Sequence, residues 1–147
     1  MPTGARNDPY ASFNFTVEID GVTTAGFSEV SGLDTETDII SYRTGDHENT
    51  MVKLPGLKKF PNIVCKRGFT KDTALWDWRK KVMDGKTERK SGAIVLHDES
   101  NQAVLRWSFK EAWPSKLSGP SLNAKNNEVA IETLEIAHEG LDFAPAG

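Results

Sequence analysis

Phe13-Asn14-Phe15-Thr16-Val17-Glu18-Ile19-Asp20 decides the fold class. Apolar residues hold every odd position of this stretch and polar residues every even one. A period of two turns one face of an extended chain to a core and the other to water, which predicts a half-buried β-strand. Asp20-Gly21 follows at once and suits a tight turn. A second strand over residues 23–30 is therefore expected to return as a hairpin.

The stretches downstream repeat this strand-and-turn pattern. Ser31-Gly32 breaks the second strand, and residues 35–43 read as a longer one with Glu36 and Asp38 on one face. Thr44-Gly45-Asp46 marks a turn, and residues 50–54 form a short strand closed by Pro55-Gly56. Pro61 precedes a strand over residues 62–67. The one helix signal covers residues 72–84, with Thr70 or Asp72 able to cap it and Gly85 where a left-handed residue belongs. Leu75, Trp78 and Val82 make its apolar stripe. Trp76 lies about 200° from Trp78 at roughly 100° per residue, so one helix face does not bury both rings.

Residues 86–90 read as a charged, solvated loop. Residues 93–96 are apolar on both parities, as in a strand covered on both faces. Residues 104–113 alternate again, with Leu105, Trp107, Phe109 and Trp113 on one side. Residues 114–127, rich in Pro, Gly, Ser and Asn, read as a connector. In the last long strand, 128–139, Val129 and Ile131 are odd while Leu134 and Ile136 are even, which predicts a bulge near Thr133. Residues 1–10 and 143–147 are expected as tails. The whole, residues 1–147, reads as one mainly β domain, a barrel or sandwich of about seven strands with one flanking α-helix.

Composition bounds the function. With 147 residues, 27% charged and 37% hydrophobic, the chain suits a single globular core. No apolar run approaches the roughly 20 residues of a spanning helix, and no membrane anchor is expected. The N-terminal stretch lacks the apolar segment of a secretory signal, so synthesis and assembly in the cytoplasm are expected. A net charge of −3 argues against a general nucleic-acid-binding surface. Cys65, the single cysteine, has no partner for an internal disulfide and reads as a small buried hydrophobe.

Chemistry is sparse. His47, His97 and His138 lie far apart on different elements, without the spacing that pairs metal ligands, and His138 reads as a surface residue. No phosphate-loop, dinucleotide or nucleophile-elbow motif occurs. Glu18/Asp20 and Glu36/Asp38 share strand faces, but both pairs should be solvated, so their carboxyl groups lack the desolvation that acid–base work needs. No cofactor, metal or catalytic residue is expected, and the chain reads as a non-enzyme. Trp107 and Trp113 read as core. Trp76 is covered either by its own chain or by a neighbouring subunit, since Trp anchors interfaces. Long amphipathic strands in a small open sheet leave edges that a closed ring of subunits would remove.

The ordered motifs carry a resemblance. Asp8-Pro9-Tyr10 through Phe13-x-Phe15-x-Val17-x-Ile19-Asp20-Gly21, then Gly26-Phe27-Ser28-Glu29-Val30-Ser31-Gly32-Leu33, resembles the opening of phage tail-tube proteins of the contractile-tail type. Tyr42-Arg43-x-Gly45, Lys53-Leu54-Pro55-Gly56-Leu57, Lys66-Arg67-Gly68 and Leu75-Trp76-Asp77-Trp78 follow in that family's order, as do Trp113-Pro114-Ser115-Lys116 and Glu139-Gly140-Leu141. The resemblance covers residues 8–142 and extends to inner-tube proteins of extracellular contractile injection systems.

What the resemblance implies is a tail-tube fold shared with the Hcp tube protein of type VI secretion. Homohexameric rings would stack into a tube inside a sheath, with baseplate or spike and tube-terminating proteins as partners and DNA or protein cargo in the lumen. The finished location would be a phage tail or an extracellular injection particle. Glu18, Asp20, Glu36 and Asp38 are then candidates for a hydrophilic lumenal or inter-subunit wall, which would repel acidic cargo. Ser31, Gly32, Leu33, Gly45, Asp46, Lys53, Leu54, Pro55, Gly56 and Leu57 are candidates for ring stacking, and Trp76 for an interface anchor. The alternatives are an Hcp-like secreted ring, or a monomeric barrel binding a ligand between Phe13/Phe15 and Trp107/Phe109. A hydrolytic enzyme would need a desolvated acid.

Overall fold

A computed structural model of the chain describes residues 14–20, 22, 26–43, 45, 50–125 and 129–146. The alternating first segment forms β1 (Phe15–Ile19), with Val17 and Ile19 buried and Thr16 and Glu18 exposed. Eight further strands follow among the described residues: β2 (Phe27–Ser31), β3 (Glu36–Tyr42), β4 (Val52–Lys59), β5 (Ile63–Gly68), β6 (Lys90–His97), β7 (Ala103–Ser118), β8 (Ile131–Ala137) and β9 (Gly140–Pro145). One helix, α1 (Ala74–Met83), lies between β5 and β6. The expectation of a mainly β sandwich with one flanking helix holds; the strands do not close into a barrel.

The 16-residue β7 joins two antiparallel layers. Its first half pairs with β6 and β9 and its second half with β8, giving the strand orders β1-β6-β7-β9 and β2-β5-β8-β7. The transition lies at Glu111, whose φ is 52°, where the β6–β7 register slips by one residue. An inserted residue swaps the inward parity. Phe109 faces the core before it, and Ala112 and Pro114 do so after it. Trp113, expected inward, is therefore only half-buried. Pro114 does not begin a connector either, because β7 runs through it to Ser118.

The two inner faces meet in one apolar cluster. Val17, Ile19, Ile94 and Phe109 come from one layer, Ile63, Cys65, Leu134 and Ile136 from the other. Each fully buried aliphatic side chain contributes about 1.5–3 kcal/mol. The helix adds Leu75 and Trp78, while Trp76 points away, as its angular position predicts. Asp72 Oδ1 accepts the Ala74 N–H at 2.9 Å at one end, and Gly85, with φ 77°, follows the other. Burial pushes the Cys65 thiol up to about 12, consistent with an inert packing residue.

Four further expectations need correction. β1 does not pair with β2. It joins β6, and only Val22 turns back, in an isolated bridge to Ile19. The two strands bury their apolar faces from different layers, so a local turn does not set their pairing; Gly21 and residues 23–25 lie outside the described residues. β4 does not stop at Pro55-Gly56 but continues to Lys59, because it pairs with β3 alone and a strand with a free edge tolerates proline. No bulge interrupts β8 at Thr133. Glu132, Leu134 and Ile136 point inward in unbroken alternation, Val129 and Ile131 are exposed, and the slip lies in β7 between Pro114 and Lys116. The expected C-terminal tail instead contributes to β9, paired with β7 from Gly140 to Pro145.

Candidate assembly interface

Among the described residues, β3 and β4 form a two-stranded ribbon that joins neither layer. Such a ribbon is marginal in water without an apolar face to pack on. This one exposes apolar side chains widely: Ile39 is 66% and Leu57 76% accessible, and Ile40, Tyr42, Met51, Val52 and Leu54 are also exposed. Register separates two faces. Glu36, Asp38, Ile40 and Tyr42 share one with Lys59, Leu54 and Val52. Thr37, Ile39 and Ser41 share the other with Lys58, Pro55 and Lys53. Leu57 stands where the register slips, between those sets. On the first face Lys59 Nζ lies 2.8 Å from Asp38 Oδ1, and that hydrogen bond holds the Lys59 ammonium above its ordinary value.

The four candidate wall carboxylates fall into two groups. Glu18 and Asp20 border a shallow depression on the outer face of the β1-β6-β7-β9 layer, where Arg106 Nη1 pairs with Glu18 at 3.0 Å. Glu36 and Asp38 lie together on the separate ribbon. Each pair shares a face as expected, but the two pairs belong to different sheets.

Of the candidate stacking residues, Lys53, Leu54, Pro55, Gly56 and Leu57 are strand residues of the ribbon rather than a loop. Ser31 ends β2, and Leu33 packs against the core cluster. Gly32 has φ 86°, and a Cβ there would collide with the Asn62 carbonyl, so only glycine lets the chain leave β2 at that point. Gly45 is exposed; Asp46 lies outside the described residues.

Trp76 is 52% accessible and stands over a cleft of about 290 Å³. Phe69, Leu117 and Pro120 supply apolar walls, and the carboxylate residues Asp72 and Glu132 also line it. Behind them lies an ion cluster that alternation alone did not reveal. Arg67, 2% accessible, donates from Nε to Glu132, which is 6% accessible, and its Nη1 lies 3.4 Å from Asp72 Oδ2. The guanidinium also sits 5.6 Å from the Phe27 ring centroid. Lys66-Arg67 opposite a strand whose parity places Glu132 inward was the available signal.

His138 is buried, contrary to the surface position expected for it. Each ring nitrogen lies 3.1 Å from a backbone carbonyl, that of Gly140 on one side and that of Pro61 on the other. The imidazole thus ties the start of β9 to the connection between β4 and β5. Phe109 belongs to the core and Phe15 and Trp107 pack against it, so these residues are structural; Phe13 lies outside the described residues, as does His47. Among the described residues no group of three His, Cys, Asp or Glu side chains is placed to hold a metal, and no helix is long and apolar enough to cross a membrane. Glu88 is held at about 2, chiefly by the hydrogen bond from Lys81 and then by Lys90, in an exposed ion cluster rather than a cleft.

Comparison with known proteins gives a consistent result. Residues 11–142 match the family model of the T4-like virus tail tube protein gp19. No curated protein matches the sequence. A chain of the PVC sheath–tube complex, an extracellular contractile injection system in its extended state, superposes with a TM-score of 0.86 at 27% identity, covering 95% of this chain and 94% of the other. A chain of the anti-feeding prophage cap, the AFP tube-terminating cap, gives 0.87 at 27% identity over 97% and 95%. Hcp1 from Flavobacterium johnsoniae shares the fold, with 0.60 at 19% identity over 89% and 94%.

Proposed function

Because the chain belongs to the T4-like virus tail tube protein gp19 family, we propose that it works by assembly, as the inner-tube subunit of a contractile phage tail or injection particle. Copies form hexameric rings, the rings stack into a rigid tube, and DNA or protein cargo passes along the lumen. The PVC relative is solved with a sheath and the AFP relative in a tube-terminating cap, which supports a sheath protein and a terminator as partners here. A baseplate completes the assembly. No catalytic step is assigned to the chain. It is made and assembled in the cytoplasm and ends in an extracellular particle or a phage tail.

One observation carries this reading. The β3–β4 ribbon stands apart from both layers and exposes apolar residues on both faces. A patch of that kind marks an interaction surface in a soluble protein, and neighbouring copies are the partners that a tube supplies. The open layers add to it, because among the described residues β9 and β2 each end a sheet with one unpaired side, and the outer side of β1 carries only the Ile19–Val22 bridge. Ring closure would pair such edges and remove a route to aggregation.

Negative-stain electron microscopy of the purified protein, with solution mass measured in parallel, tests the proposal. Rings or tubes with an open lumen are expected. A monodisperse monomer at every concentration, even with baseplate components added, would sink it.

A further inference from the structure

His138 is only 8% accessible, and both of its ring nitrogens face acceptors. Nδ1 lies 3.1 Å from the Gly140 carbonyl oxygen and Nε2 lies 3.1 Å from that of Pro61. A carbonyl only accepts, so each contact is a hydrogen bond only while the facing nitrogen carries a proton. Neutral imidazole carries one such proton and imidazolium carries two. The charged ring therefore makes both bonds. The neutral ring makes one and turns a bare lone pair on the other carbonyl, where little water can take over.

The surroundings admit a cation. The imidazole centroid lies 5.7 Å from that of Phe60 and 6.2 Å from that of Phe109, and a cation favours aromatic neighbours over aliphatic ones. The charged groups around Phe60, Phe109 and Gly140 are Lys58 from β4, Lys110 from β7, and Glu139 and Asp142 at β9. Two cations thus meet two carboxylates, and Glu139 is itself paired with Arg89 at 3.5 Å. From β5 and β8 the Ile63–Ile136 pair brings no charge.

The two carbonyls belong to separate parts of the fold. Gly140 opens β9, which among the described residues pairs only with β7 and so ends its layer. Pro61 lies between the ribbon strand β4 and β5. Asn62 follows it, and its carbonyl packs against Gly32, where the other leg of the ribbon leaves β2. Both legs of the ribbon therefore converge on the connection that His138 holds.

We propose that His138 is a proton-operated clamp: the charged ring ties β9 to the base of the β3–β4 ribbon, and loss of one proton releases one of the two. Histidines exchange their proton between about pH 5 and 8, so both ties are present toward the acid end and one is lost toward the alkaline end. A group whose charged form gains partners on folding contributes stability that is complete at low pH and fades as pH rises. The consequence for assembly rests on the inner-tube reading, in which the ribbon and the β9 edge are surfaces that copies share. A loosened ribbon base must be ordered again on association, which costs affinity. Subunits therefore assemble more readily toward the acid end.

The test uses the full chain with its imidazoles labelled with nitrogen-15, and His138→Gln identifies the His138 signals against those of His47 and His97. In the wild-type subunit both His138 nitrogens should carry protons at about pH 6, and one should be bare at about pH 8. Across that interval amide protection factors in β9 should fall by about fivefold or more, while those of β5 and β8 hold. In His138→Gln, where one amide nitrogen replaces two ring nitrogens, β9 protection should not follow pH. The concentration needed for tubes should rise about tenfold from the acid to the alkaline end in wild type and stay constant in the variant. Ring nitrogens that keep one protonation state throughout, or that change it with β9 protection unmoved, overturn the clamp. Both readouts come from the wild-type chain, so they decide the matter even if the variant fails to fold. Equal tube thresholds at both ends in wild type overturn the clamp's control of assembly. A ring that titrates and loosens β9 in a chain that never forms tubes supports the clamp and overturns the inner-tube reading.

Discussion

Arg67 and Glu132 face each other across β5 and β8 in the sandwich interior, and Arg67 Nε donates to the Glu132 carboxylate with almost no access to water. Burying two charges is costly, and their attraction offsets that cost only while both are present. Glu132→Ala should leave a buried guanidinium with Asp72 as its remaining carboxylate and destabilise the fold by about 3–5 kcal/mol. Replacing both, as in Arg67→Met with Glu132→Leu, should restore most of that loss. Urea denaturation of the single and double variants measures it. A Glu132→Ala variant as stable as wild type would show that the pair contributes nothing.

Gly32 invites a second measurement. Its φ of 86° and its contact with the Asn62 carbonyl leave no room for a side chain. Gly32→Ala should lower stability by about 2–3 kcal/mol, combining left-handed backbone strain with a backbone collision. It should also disturb assembly, since the ribbon departs from this residue. Equal denaturation midpoints for the two proteins would remove Gly32 from any structural role.

The Glu88 cluster makes a prediction about pH. Hydrogen bonds from Lys81 and Lys90 hold its carboxyl at about 2, below its ordinary 4.5. A carboxyl depressed on folding contributes stability that is present above the unfolded value and is lost as pH falls through the folded one. The stability difference between wild type and Glu88→Gln should therefore shrink as the pH is lowered from 4.5 to about 2. The group is exposed, so the difference should be small and should weaken in salt. Acid titrations at low and high ionic strength test this, and a difference independent of pH across the window contradicts it.

Local alternation made β1, the course of β3 and the face of α1 legible, because each depends on neighbours within a few residues. Trp76 could be set apart from Trp78 for the same reason. What sequence did not reveal was non-local. Residues 128–139 look like a strand that changes phase because the inward position 132 holds a charge, and only Arg67 on β5 makes that charge admissible. Asp20-Gly21 suggests a hairpin, yet β1 finds its partner in β6, more than seventy residues away in sequence. The candidate site was half legible. Residues 53–57 were singled out as a candidate stacking loop and are strand residues of the ribbon, whose separation from both layers is a property of pairings that no local pattern records.

The proposed wall carboxylates can be tested on the ribbon alone. Replacing Glu36 and Asp38 by Lys removes the Asp38–Lys59 pair and turns a mixed face wholly cationic. If that face lines the lumen or a subunit boundary, tubes should shorten or retain more nucleic acid, since a positive wall attracts what a negative one repels. Tube lengths by electron microscopy and the ultraviolet absorbance ratio of purified particles are the measurements. Wild-type values in both would remove these two residues from the wall and leave Glu18 and Asp20 as the remaining candidates.

Hydrogen exchange reports most directly on whether assembly covers the ribbon. In an isolated subunit the ribbon has only its own ladder of hydrogen bonds, and a two-stranded unit with both faces wet opens easily. Its amides should therefore exchange far faster than those of β5 and β8, whose inward residues Ile63, Cys65, Leu134 and Ile136 are fully buried. Assembly covers Ile39, Ile40 and Leu54 with another copy, and local opening then requires that contact to break. Ribbon amides should slow by roughly a hundredfold on assembly, while those of β5 and β8 change little. If the ribbon were already protected in the monomer, its exposed apolar faces would be stable without partners. If it stayed fast in assembled tubes, the surface that joins the copies would lie elsewhere.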